Sequence, residues 1–158
     1  MSEKKKNSFK SWQIYLICLI ILMAVGLKFY QSFYWPTVQV KIHEKFFTVQ
    51  VADNLKHWEK GLGGREDLGK YDGMLFVFPE IKQHVFVMRD MKFPLDIIWL
   101  KNGVVVDIAA NLPIEPTSSE SDLIPYFSRD SSDKVLELGA GKAASLGLKI
   151  GDRVEVVR

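Results

Sequence analysis

The chain has 158 residues, 47% of them apolar and 25% charged, with a formal net charge of +2. That length suits one domain with a usable core and leaves little room for two, while the charged fraction excludes wholesale disorder and collagen-like composition. Residues 1–30 hold Lys4, Lys5, Lys6, Lys10 and Lys28 against Glu3 alone, so the remainder is slightly acidic and lacks the basic balance expected of a nucleic-acid binder.

The first predicted element is an apolar helix, because Ser11 to Leu27 contains no charged residue. As a helix, Trp12–Tyr30 extends roughly 28 Å, close to a bilayer core of about 30 Å. Trp12 and Tyr15 mark one end, and Phe29, Tyr30, Phe33, Tyr34 and Trp35 crowd the other, where amphipathic rings suit the headgroup region. Four lysines before the run and one after it place the N-terminus in the cytoplasm. The expected organisation is a basic cytoplasmic tip (1–10), a single transmembrane signal anchor (11–30), an aromatic juxtamembrane linker (31–37) and an extracytoplasmic domain (38–158). A cleavable signal peptide competes with this reading: Ile14–Met23 suits an h-region, and Ala24-Val25-Gly26 supplies small residues for cleavage near Gly26, which would export a soluble domain. The apolar run continues past those small residues into the aromatic belt, which favours the uncleaved anchor. Cys18 is the only cysteine and lies within the run, so the outer domain has no disulfide, thiol nucleophile or Cys-based metal site.

Beyond the helix the pattern is mainly β, with one or two short helices. Val38, Val40 and Ile42 alternate with polar residues, as do Phe47, Val49 and Val51, giving two strands joined by a short turn. Asp53 is placed to cap a short helix with Leu55, Trp58 and Leu62 on one face, ended by Gly61, Gly63 and Gly64. Residues 74–78 and 85–88 are short runs apolar on both faces. Strands at 95–100 and 104–109 flank Asn102-Gly103, a hairpin signal because both residues tolerate positive φ. Residues 113–133 form a Ser-, Pro- and acid-rich loop whose Leu-Ile-Pro-Tyr-Phe centre is expected to pack on the core. A strand at 135–138, a short helix at 142–146 and a strand at 154–157 complete a compact β-sandwich or small barrel, favoured over βαβ units.

The blocks GLGGRE (61–66), GMLFVFPE (73–80), FPLDIIWL (93–100) and VLELGAGKAASLGLKIGDRV (135–154) resemble the domain of unknown function 192 family, an uncharacterised ancient conserved region, over residues 38–158. The resemblance implies a single compact, mainly β domain, often exported or anchored, and implies no substrate or reaction. Where family members usually read Phe-Trp-Met-Lys-Asn-Thr, this chain has Phe86-Val87-Met88-Arg89-Asp90-Met91, and Gly63 stands where Met is usual.

Asp96 interrupts an apolar strand on the face shared by Ile98 and Leu100, and a buried carboxylate needs partners. It is therefore a structural acceptor for backbone N–H groups near Pro94 or for Arg65 or Arg89, or else a catalytic or ligand-orienting acid. Glu137 alternates with Leu136 and Leu138 and would complete a glycosidase-type pair with Asp96 if the two converged. Arg65 could fork onto an anionic ligand or pin its loop to Asp72 or Asp96, and Met88, Arg89 and Asp90 are further ligand-binding candidates. His43, His57 and His84 have no metal-ligand spacing, with His43 and His57 expected at the surface; no nucleophile elbow or phosphate-cradle pattern is present, and Gly139, Gly141, Gly147 and Gly151 read more simply as turn and helix-end residues than as a cofactor loop. No cofactor is implied. Two functions remain: an anchored binding or accessory module for an envelope component or partner protein, and an envelope glycan hydrolase using Asp96 and Glu137.

Overall fold

The structure is a computed structural model that describes residues 10–115 and 119–157, and the basic tip expected over residues 1–9 lies outside them. Two compact units divide between Tyr34 and Trp35. The N-terminal unit is one helix, α1 (Ser11–Phe33). Its Ser11–Tyr30 stretch has a mean hydropathy of 2.0 with 0% of it buried, and it is the one helix among the described residues long and apolar enough to cross a membrane. A helix suits that solvent because it satisfies its own backbone groups.

The C-terminal unit runs in chain order β1 (Thr37–Ile42), β2 (Lys45–Ala52), α2 (Leu55–Lys60), β3 (Gly73–Lys82), β4 (Val85–Phe86), β5 (Leu95–Lys101), β6 (Val104–Leu112), β7 (Tyr126–Phe127), β8 (Ser132–Gly139), α3 (Lys142–Ser145) and β9 (Val154–Val157). Seven strands form one sheet in the order β6-β5-β8-β3-β2-β1-β9, and β4 pairs with β7 in a separate ribbon. The β5–β6 hairpin turns at Asn102 and Gly103, with φ of 52° and 79°, the left-handed pair that a two-residue hairpin needs. The sheet curls until its edges meet at one end. Val104 bridges Arg153, Val154 N–H donates to the Gly103 carbonyl at 2.8 Å, and Val105 N–H donates to that of Asp152 at 2.9 Å. A single curled sheet is the small-barrel form of the expected fold.

One pairing departs from the hairpin pattern. Strands β2 and β3 are parallel, from Val49 opposite Gly73 to Ala52 opposite Phe76. A parallel pair needs a crossover, and α2 with the following loop supplies it. That crossover folds over the outer face of the sheet. Inside the curl, Val40, Val49, Leu75, Ile98, Leu136 and Leu138 make one core. Outside it, Met74, Phe76, Ile97, Trp99 and Val135 make a second core with Leu62 and Met88 from the covering segments. Central strands covered on both faces read as near-continuous apolar runs, which explains 74–78 and, apart from Asp96, 95–100.

Three local expectations change. Asn54, not Asp53, caps α2, its side chain accepting the His57 N–H at 3.2 Å. The helix turns His57 inward, 4% exposed, and leaves Leu55 64% exposed, so the apolar-face assignment and the surface position of His57 are both corrected. In the 113–133 loop only part of the apolar centre packs: Tyr126 joins the outer core, while Ile124 and Phe127 stay exposed.

Candidate functional site

Glu137 lies near the middle of β8, between Met74 on β3 and Ile97 on β5. Alternation along β8 sends Leu136 and Leu138 into the inner core and Glu137 to the outer face. There the crossover and residues 84–93 cover the sheet incompletely and leave a cleft of about 290 Å³ with Glu137 among its lining residues. Aromatic rings build the walls. Phe86 stands edge-on to Phe76 at 88° and 4.9 Å, and Trp58 packs against Phe78 at 5.1 Å. His84, 8% exposed, stacks on Phe78 at 3.6 Å, and its carbonyl accepts the Trp99 indole N–H at 3.4 Å.

Glu137 is buried, and its Oε2 has no hydrogen-bond partner among the described residues. Burial pushes its pKa up to about 8, with the Arg65 guanidinium opposing the shift in part. A carboxyl that is desolvated without a directly bonded cation keeps its proton at neutral pH. Burial likewise lowers the pKa of His84. Arg65 does not reach into the cleft as a free fork: it donates to Gln50 Oε1, and its guanidinium lies 5.1 Å from the centre of the Trp35 ring. Trp35 in turn stacks on His57 at 4.0 Å, forming a column Arg65–Trp35–His57. Burial lowers the pKa of Arg65, while Tyr71 and Glu137 act in the opposite direction.

The other candidates separate. Asp96 is fully buried and faces the inner side. Its Oδ1 accepts the N–H groups of Asn111 at 2.8 Å and Gly141 at 3.0 Å, and its Oδ2 accepts that of Ala143 at 2.7 Å. The structure thus gives Asp96 the backbone-acceptor role and no contact with Arg65 or Arg89. Because Asp96 and Glu137 face opposite sides of the sheet, the two-carboxylate pair does not form. Met88 is 1% exposed and fills the outer core. Arg89 stands at the cleft rim, paired through Nε with Glu120 Oε2 at 2.8 Å and through Nη2 with Oε1. Asp90 is exposed with φ of 54°, and its carbonyl accepts the Gly64 N–H at 2.8 Å. Gly63 permits that contact, since a Cβ there would lie 2.8 Å from the Arg89 carbonyl oxygen. The sequence reading did not include Trp58, Phe78, His84 and Phe86 in the site. Their aromatic content was visible, but their convergence depends on the crossover and the β4–β7 ribbon.

Fold and cleft together define a small domain built on one curled, mainly β sheet with a ligand-sized recess on its outer face. The chain belongs to the domain of unknown function 192 family, described as an uncharacterized ACR, which matches residues 38–156. No curated protein matches it. Two solved structures are similar. One is a Sinorhizobium meliloti 1021 protein provisionally named a transcription regulator: it is 29% identical, with a TM-score of 0.68, and the match covers 77% of this chain and 95% of that one. The other is a protein of unknown function from Novosphingobium aromaticivorans DSM 12444: it is 32% identical, with a TM-score of 0.64, and the match covers 77% and 84%.

Proposed function

We propose that this chain is a single-span membrane protein whose C-terminal unit lies outside the cytoplasm. There it serves as a binding module for an envelope component or partner protein, receiving the bound group in the cleft over Glu137. The lysine-flanked apolar helix supports the placement. The observation that carries the binding reading is the unpartnered Oε2 of Glu137 among the cleft-lining residues. A buried polar atom without a partner costs stability, and such costs concentrate where a ligand completes the bonding.

A photoreactive side chain placed at Val85, an exposed residue of the cleft lining, tests the binding reading in intact cells. The expected result is an adduct of defined mass from Val85 that is absent when the same group is placed at the exposed Lys149. Indistinguishable adducts from the two positions would contradict it.

A further inference from the structure

We infer that the cleft takes an uncharged, ring-sized ligand that offers a carbonyl or hydroxyl oxygen to Glu137. This inference rests on the binding reading above and narrows the chemistry of the bound group.

The geometry carries the argument. Oε2 of Glu137 is buried and unpartnered, and no cation donates to it among the described residues. Around it Phe76, Phe78, Phe86, Trp58 and Leu62 supply aromatic and aliphatic walls, with the exposed Glu59, Lys60 and Arg89 also in the lining. Its volume of about 290 Å³ lies at the lower end of ligand pockets, which suits one ring with a short substituent. A carboxyl that keeps its proton has an O–H to donate, and the complementary ligand group is an acceptor.

The surrounding charges argue against an ionic ligand of either sign. The cation acting on Glu137 is Arg65, from the loop after α2, whose guanidinium is engaged by Gln50 and lies against Trp35. Tyr71 acts on Arg65 from the same loop. An ammonium ligand approaching Glu137 would meet repulsion from Arg65. Of the two lining cations other than His84, Arg89 is already held by Glu120 and Lys60 is exposed on α2, so an anionic ligand would draw a buried cation from neither. Burial of His84, the remaining titratable wall group, disfavours its charged form. Placing a charge against such walls carries a desolvation cost that an uncharged amide or hydroxyl largely avoids.

Three compounds sharing one ring separate the alternatives: benzamide, benzylamine and benzoate, titrated by ligand-observed NMR against the full chain in lipid nanodiscs. Benzamide should bind most tightly, and its affinity should fall about tenfold between pH 6 and pH 9 as the protonated fraction of Glu137 declines. Glu137→Gln keeps a donor, so it should bind benzamide within about threefold of the parent at pH 6 and lose the pH dependence. Glu137→Leu should weaken binding about tenfold or more, a 1.4 kcal/mol effect of the size expected for one buried hydrogen bond. Benzylamine binding more tightly than benzamide, and tightening as pH rises, would overturn the inference while leaving the cleft a binding site. Preference for benzoate, absence of binding by all three, or benzamide binding indifferent to Glu137→Leu would also overturn it. The adduct from Val85 decides the binding reading separately.

Discussion

Asp96 and Glu137 sit on adjacent strands one residue out of register, with Asp96 opposite Leu138 and Ile97 opposite Glu137, and their carboxyls face opposite sides of the sheet. One is saturated by three backbone donors, and the other keeps an oxygen with none. Two buried acids in one β domain thus divide between holding the fold and facing the cleft.

Asp96 ties β6 and α3 to β5. Asp96→Asn replaces the acceptor facing Ala143 with an N–H₂, setting donor against donor, and should cost about 2–4 kcal/mol. Asp96→Ala leaves three N–H groups without their acceptor and should cost at least as much. Denaturant unfolding of the full chain in detergent measures both, and a loss below about 0.5 kcal/mol would contradict the assignment.

Glu137 makes stability depend on pH with a definite sign. Its folded pKa of about 8 lies above the ordinary 4.5, so between those values the folded state binds more protons than the unfolded chain. The stability it contributes is fully present below about 4.5 and is lost as pH rises towards 8, by at most about 1.4 kcal/mol per unit. The parent chain should therefore weaken relative to Glu137→Gln across this window, and the difference should level off above it. Parallel pH slopes for the two proteins would show that the group titrates normally.

Gly73 is required for spacing. A Cβ there would lie 2.0 Å from the Glu137 carbonyl oxygen and 3.0 Å from the Leu138 side chain. Gly73→Ala should push β3 away from β8 and destabilise the C-terminal unit by about 1–3 kcal/mol, the usual range for overpacking. It should also disturb the Glu137 environment, which amide chemical shifts along β8 would report.

Placement of the C-terminal unit outside the cytoplasm has its own check. Lys149→Cys should react with a membrane-impermeant maleimide in intact spheroplasts, with intact mass confirming that the helix is retained. Labelling only after lysis would reverse the orientation, and a mass starting near Leu27 would replace the anchor with a cleaved signal.

Much of the fold was legible because its signals are local. Alternation showed β1 and β2, Asn102-Gly103 showed the β5–β6 turn, and the double-sided apolar runs anticipated strands covered on both faces. The same alternation separated Glu137 from Leu136 and Leu138. The parallel β2–β3 pair was not legible, because no local pattern distinguishes a crossover helix from a connecting turn. His57 was misplaced for a related reason: its burial depends on Trp35, distant in sequence, stacking against it. For Asp96 the cost of burial was foreseeable, but its donors lie 15 to 47 residues away and come together only in the folded sheet.

Carbon-13 titration of the Glu137 side-chain carboxyl in the full chain tests the account most directly. A midpoint near 8, with a resonance perturbed by benzamide at pH 6, is expected. A midpoint near the ordinary 4.5, or a resonance indifferent to the ligand, would contradict a protonated acid that receives the bound group.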